Sequence, residues 1–249
     1  MSYEKNEAGS GHTVNEENDR EIAEELLVGG MKILQSDKYY RFTSDSVLLS
    51  RFARCKAGEV AADFCAGSGI VGLHFYALHQ GMVASVTCFE MQKELADMNR
   101  RSVALNGLEE KFSVENCRVQ DISAAYVERF SLILCNPPYE KGGLTSPDPV
   151  KAACRKEIFL SLEELCASAA RCLRFGGRFA LCHRADRLAE VLYRLHEAGL
   201  EPKRLQLVAG KSGAKPYLAL VEAVKGGKAG LTVLPTAENS PPYGDGRKA

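Results

Sequence analysis

The chain has 249 residues, 45% of them hydrophobic, and a formal net charge of zero at neutral pH. That length carries one substantial core, and no apolar run approaches the ~18 residues that a bilayer-crossing helix needs. Nine cysteines without any Cys-x2-Cys spacing argue against a zinc site and against a disulfide framework, and read as small buried hydrophobes of a reducing cytoplasm. The charge is unevenly spread. Residues 1–25 hold eight acids and two bases, so the remainder carries 24 acids and 30 bases, a net +6. A modestly basic body suits a phosphate-bearing partner, and a solvated charged surface accounts for the same count.

Residues 1–20 are polar, acidic and without periodicity; they are expected to be disordered and resemble neither a signal nor a transit peptide. Glu21 to Gln35 follows, with Gly29-Gly30 marking a turn. In the stretch Tyr39 to Ala53, Thr43 or Ser44 is placed to cap a helix whose apolar face is Val47, Leu48 and Phe52,. The same start allows a functional reading, in which Thr43 to Asp45 help close a pocket.

From Glu59 the pattern is strand, turn, helix, repeated. Strands are predicted at Val60–Cys65, Ala84–Phe89, Phe112–Asn116, Phe130–Cys135 and Arg178–His183. Helices are predicted at Ile70–Leu78, Gln92–Asn106 (ended by Gly107), Leu160–Leu173 (ended by Gly176-Gly177) and Asp186–Ala198 (ended by Gly199),. Two last strands, Arg204–Ala209 and Tyr217–Val224, are separated by a loop too short for a crossover helix and must pair antiparallel. The expectation is an α/β, Rossmann-like, doubly wound sheet of seven strands, mostly parallel with an antiparallel C-terminal hairpin. It forms a single domain over 21–235, followed by a flexible tail over 236–249.

Two places carry chemistry. Gly67-Ser68-Gly69-Ile70-Val71-Gly72 satisfies G-x-G-x-x-G after a strand, with Glu90 ending the next strand,. The glycines allow close backbone approach, the helix start offers free N–H groups, and an acid after the second strand accepts from ribose hydroxyls. The spacing alone fits NAD as well. Asp63, ahead of the turn, leans away from it, because a fixed negative charge suits a cationic ligand better than a pyrophosphate. A carboxylate bonded only to loop N–H groups is the plainer account of the same residue. Asp121, after the third strand, is placed to meet an adenine edge.

The second place is Asn136-Pro137-Pro138-Tyr139. Neither proline can donate to a ladder, so the strand Phe130–Cys135 must leave the sheet at Asn136. An amide, two rigid carbonyls and an aromatic ring then gather at the carboxyl end of a strand, where open α/β sheets bind ligands. Two acceptors side by side suit a planar –NH2 group, and the ring can stack on the flat system that bears it. An ordinary strand-ending turn uses the same residue types.

Asp63 to Gly69, Glu90, Asp121 and Asn136 to Tyr139 together resemble the class I S-adenosylmethionine-dependent methyltransferases that act on exocyclic or amide nitrogens. More narrowly, Phe42 to Leu49, Arg155-Lys156-Glu157 and His183 to Leu188 resemble the bacterial tRNA1(Val) adenine-37 N6-methyltransferases. The likeness runs from about Glu25 to about Pro235, and the tail from Ala237 departs from it. The resemblance implies S-adenosylmethionine as cofactor, with Asp63, Ala66, Gly67, Ser68, Gly69, Glu90, Met91, Asp121 and Ile122 lining its site. Thr43, Asp45 and Asn136 would lie near its methionine end. It implies Asn136, Pro137, Pro138 and Tyr139 as the catalytic cluster, no metal, and RNA, in particular a tRNA, as partner. Lys141, Arg155, Lys156, Arg184 and Arg187 are candidates for phosphate contacts. Glutamine N5-methylation of a protein, guanine N2-methylation of rRNA, DNA adenine methylation and a non-catalytic RNA-binding module remain the alternatives.

Overall fold

The computed structural model describes residues 21–37, 39, 43–138 and 160–239; residues 1–20 and the tail beyond 239 lie outside them. A hairpin comes first, β1 (Glu21–Glu25) against β2 (Lys32–Ser36), antiparallel and separate from the main sheet. Its turn uses Gly29 and Gly30 at φ 63° and 65°, a region that costs glycine nothing. Then follow α1 (Ser44–Phe52), β3 (Glu59–Phe64), α2 (Ile70–Leu78), β4 (Val83–Glu90), α3 (Lys93–Leu105), β5 (Phe112–Asn116) and β6 (Phe130–Cys135). After them come α4 (Leu162–Cys172), β7 (Leu173–Arg184), α5 (Leu188–Glu197), β8 (Leu200–Ala209), β9 (Leu218–Lys225), β10 (Thr232–Val233) and β11 (Ala237–Glu238).

The main sheet runs β10-β8-β9-β7-β6-β3-β4-β5, with β11 also on β8. The five strands from β3 to β7 are mutually parallel, as the alternation of strands and helices predicts. The C-terminal hairpin is antiparallel, but its second strand β9 inserts between β7 and β8 and opposes both. The expected seven strands are therefore all present, and two short strands extend the sheet to nine. Both of these lie parallel to β8 and cover its outer edge. β11 falls in the segment expected to be a flexible tail from 236. Its pairing with Val208 and Ala209, and the Asn239 N–H bond to the Ala209 carbonyl at 2.9 Å, hold that start of the tail to the sheet.

Successive side chains of a strand face opposite sides of the sheet, and this sorts the apolar residues into two cores. Ala61, Leu132 and Leu134 join α1 and α2 through Leu49, Phe52, Leu73 and Phe75 on one face. Ala62, Phe64, Ile133 and Cys135 join α4 and α5 through Leu162, Leu165, Val191 and Leu195 on the other. Helix α4 begins with a capping box, Ser161 Oγ accepting from Glu164 N–H while the Glu164 carboxylate accepts from Ser161 N–H,. It ends at Cys172, ahead of the predicted stop. Gly176-Gly177 instead lie in the irregular start of β7, where a Cβ on Gly177 would sit 2.8 Å from the Arg174 carbonyl.

At the amino ends of the strands lies a buried charge network. Glu59 and Arg178, 1% and 3% exposed, are ion-paired. Ser131 donates to Glu59 Oε1, and Lys56 N–H donates to Oε2 at 2.9 Å. The fully buried Glu222 takes Arg54 Nε at 3.1 Å and Arg204 Nη1 at 3.4 Å. Strands β3, β6, β7, β8 and β9 are thus tied together on the side away from the carboxyl ends of the parallel strands. Removing one partner of such a pair leaves an uncompensated buried charge. Arg178→Met is expected to lower the unfolding free energy by about 3–5 kcal/mol, read from urea denaturation, with the denaturant slope unchanged.

Candidate active site

Strand register decides what meets at the carboxyl edge. Phe64 pairs with Phe89 and with Cys135, and Cys135 pairs with Leu181. One residue further on, Glu90, Cys65, Asn136 and Cys182 therefore stand side by side along four adjacent strands, β4, β3, β6 and β7. Three of these four come from loops or strand ends more than twenty residues apart in sequence.

The turn after β3 is tight. Ala66 N–H bonds the Phe89 carbonyl at 3.1 Å and Gly69 N–H bonds the Ala66 carbonyl at 2.8 Å. Gly67 and Gly69 have φ of 55° and 95°, and Cys65 has φ of 57°, a region where a side chain with a Cβ is strained. A Cβ on Gly69 would fall 2.5 Å from Asn99 Oδ1, whereas one on Gly67 would meet nothing within 4 Å. Gly69 is required by packing, whereas Gly67 faces open space. Gly72 lets α2 approach the sheet, since a Cβ there would be 3.3 Å from Asp63 Oδ2.

Asp63 is fully buried. Its Oδ2 accepts Gly72 N–H at 2.9 Å, but Oδ1 is buried without a partner. Burial pushes its carboxyl up to about 7; the Gly72 N–H opposes that and the Glu90 charge adds to it. The fixed negative charge read from the sequence is thus only partly present near neutrality, because nothing cationic faces Oδ1 among the described residues. Glu90 ties the glycine turn to the end of β4: Oε2 accepts Gly67 N–H at 2.8 Å and Oε1 accepts Gln92 N–H at 2.9 Å. Burial raises its carboxyl, against the pull of these N–H groups. The Met91 N–H is a third group that favours the charged carboxylate, which leaves fewer acceptor positions for a hydroxyl,.

Asn136 is half-buried and clasped. Its Nδ2 donates to Ser46 Oγ at 2.9 Å, and Cys182 Sγ–H donates to its Oδ1 at 3.0 Å. Pro137 beside it is buried and Pro138 half-buried. Helix α1 brings Asp45 to the same edge, 8% exposed. Tyr217 OH donates to Asp45 Oδ1 at 3.3 Å, while Asn239 Nδ2 donates to Tyr217 OH at 2.7 Å and to Ser44 Oγ at 2.9 Å. Burial and then the Asp45 charge push the Tyr217 hydroxyl up to about 12. Thr43 occupies the N-cap of α1, but through its carbonyl, which accepts Ser46 N–H at 3.2 Å; its side chain makes no capping bond.

Other predicted residues are placed less tightly. Ile122 is buried, Met91 is 40% exposed, and Asp121 is exposed in a one-turn 3-10 helix with Arg118 Nε 4.0 Å away. Asn116 Nδ2, at the end of β5, bonds the carbonyls of Glu90 and Met91 at 2.9 and 3.0 Å. Arg184 forks onto Asp186. Arg187 forks onto Glu190 with both bonds at 2.9 Å and is 12% exposed in its side chain. Tyr139, Lys141, Arg155 and Lys156 lie outside the described residues. Ser46, Cys182, Tyr217 and Asn239 escaped the reading of the sequence. Ser46 sits within a segment that drew attention as a whole, while the other three carry no motif.

A parallel sheet in this strand order, a glycine turn after its first strand, an acid ending the second and Asn-Pro-Pro ending the fourth define a class I methyltransferase. The chain belongs to the methyltransferase small domain family, whose sequence profile matches residues 43–196. It is similar to proteins named tRNA1(Val) (adenine(37)-N6)-methyltransferase. One from Porphyromonas gingivalis is 30% identical over 190 residues, covering 66% of this chain and 72% of the relative. One from Phocaeicola vulgatus is 27% identical over 179 residues, covering 72% and 74%. The chain thus spans about two thirds to three quarters of the length of these relatives. Among solved structures, a predicted O-methyltransferase from Agrobacterium tumefaciens shares the fold with a TM-score of 0.61 at 22% identity, over 78% of this chain and 86% of that one.

The raised carboxyl of Asp63 carries a consequence for stability. Between its ordinary 3.8 and about 7, the folded chain keeps a proton that the unfolded chain releases. The unfolding free energy therefore falls as pH rises through that window and levels off above it. In the ligand-free protein this slope should appear in urea midpoints between pH 5 and 8, and Asp63→Asn should flatten it.

Proposed function

We propose that this protein is an S-adenosylmethionine-dependent methyltransferase that methylates the exocyclic N6 of an adenine in tRNA, adenine 37 of tRNA1(Val). The observation that carries the reading is the Asn136 amide, fixed by two neighbours in the row that also holds the glycine turn and Glu90.

The residues present fit the cofactor. The unpartnered, buried Asp63 Oδ1 suits a ligand that carries positive charge, and the open space at Gly67 admits a ligand against the backbone. S-adenosylmethionine supplies a methyl group made electrophilic by a sulfonium. Asp63, Ala66, Gly67, Ser68 and Gly69 would hold it from β3 and its turn. Glu90 and Met91 would hold it from β4, and Asp121 and Ile122 from the segment after β5. Thr43 and Asp45 would stand toward the methionine end.

Adenine N6 is a poor nucleophile because its lone pair is delocalised into the ring. Asn136 Oδ1 and the Pro137 carbonyl accept the two amine hydrogens, favour a pyramidal nitrogen and aim its lone pair. Orientation of this kind contributes up to ~7–11 kcal/mol, so no strong general base is required. Tyr139 would stack on the extruded base. The net +6 of the chain beyond residue 25 favours a polyanionic partner, and a tRNA substrate suits a cytoplasmic enzyme with free thiols.

Asn136→Ala should lower kcat by about 10²–10³-fold, the scale for losing one positioned polar group at a reacting centre, with S-adenosylmethionine affinity little changed. Labelled methyl offered with total tRNA, rRNA and protein should appear as N6-methyladenosine in tRNA; label in protein or in rRNA guanine overturns the assignment. Because a cationic ligand favours ionised Asp63, cofactor affinity should strengthen about tenfold per pH unit up to 7 and then level off. Titration calorimetry on the wild type and Asp63→Asn reads that slope.

A further inference from the structure

We propose that Ser46 and Cys182 are positioning residues that set which edge of the Asn136 amide faces the reacting amine. The inference deepens the N6-methyltransferase reading and rests on it.

An asparagine side chain ending a strand can rotate about its last bond, and its two edges have opposite polarity: one accepts, the other donates. A donor edge turned toward an –NH2 group would repel it. Here both edges of the amide are held, by two different elements. Ser46, 3% exposed in the first turn of α1, accepts from Nδ2 at 2.9 Å. Cys182, fully buried in β7, donates to Oδ1 at 3.0 Å. For the thiol to do this it must stay protonated. Burial, with the Asp45 and Asp63 charges adding to it, holds the Cys182 thiol well above its ordinary value. A thiol is also a weak donor, so it orients the oxygen while leaving it basic enough to accept a hydrogen from substrate.

The serine side of the clasp is braced in turn. The first turn of α1 is tied down by Asn239 on Ser44 and by Tyr217 on Asp45, and its Ser46 N–H is taken by the Thr43 carbonyl. The amide is therefore gripped between a helix and a strand that touch through it, not merely packed at the end of its own strand. Neither gripping residue would need to contact the base.

The test uses the full chain with Ser46→Ala, Cys182→Val, Cys182→Ser and Asn136→Ala. Ser46→Ala and Cys182→Val should each reduce single-turnover methyl transfer to tRNA by roughly ten- to a hundredfold, the scale of a misplaced reacting group. Cofactor Kd and Tm should stay near wild type, and Cys182→Ser, which keeps a donor, should stay within a few-fold of wild type. In the ligand-free protein, the Asn136 side-chain amide signal, assigned by its loss in Asn136→Ala, should shift in Ser46→Ala and in Cys182→Val. Wild-type transfer in both Ser46→Ala and Cys182→Val, with Asn136→Ala inactive, overturns the clasp alone. A parallel loss of transfer, cofactor binding and Tm in both variants makes the pair structural and also overturns it. Full activity in Asn136→Ala overturns the underlying reading instead.

Discussion

A strand that meets two prolines has no choice about where it stops. Because neither Pro137 nor Pro138 can donate to the ladder, β6 leaves the sheet at Asn136, one residue past the Phe64–Cys135 pair that ends β3, while β7 runs on to Arg184,. Everything at the candidate site hangs on that stop. Had β6 run one residue further in the same pleat, Asn136 would have been a ladder residue with its amide turned to one core, and Ser46 and Cys182 would have had nothing to hold. The rigid exit converts a sheet edge into a row of polar ends, Glu90, Asn136 and the backbone of the glycine turn among them.

The same edge is where local rules are broken. Cys65 adopts a backbone conformation suited to glycine, Gly69 leaves no room for any side chain, and Asp63 Oδ1 and the Asn99 amide are buried with no partner. Strain and unsatisfied polar atoms cost free energy and survive where surrounding structure over-determines them, as they do at functional sites. The orphaned carboxylate oxygen beneath the turn and the open backbone at Gly67 belong to one design.

The opposite edge supplies the rigidity. Glu59, Arg178, Ser131, Arg54, Arg204 and Glu222 join five strands through charge-assisted bonds in the interior. Such a network adds little net stability relative to apolar packing, but wrong pairings of the strands would leave buried charges alone. It holds the order in which β9 opposes both β7 and β8, and so holds Cys182 beside Asn136 at the far end. Beyond β9 the chain returns along β8 through β10 and β11, which carries Asn239 back to the start of α1.

Periodicity and punctuation alone determined most of the architecture. The runs Phe112–Asn116, Phe130–Cys135 and Ile70–Leu78 have the observed bounds, because apolar alternation, glycine stops and a double proline act through neighbouring residues. The glycine turn, Asp63, Glu90 and Asn136 were legible for the same reason: each is a local backbone demand or a strand-end residue. The insertion of β9, the two extra strands, the ion pair of Arg187 with Glu190 and the raised carboxyl of Asp63 were not. Nor was the grip of Ser46 and Cys182 on Asn136, three residues separated by 90 and 46 positions. A hydrogen bond between distant residues depends on strand order and register, and burial sets a carboxyl's proton affinity. Both are properties of the folded sheet, and no window of sequence contains them.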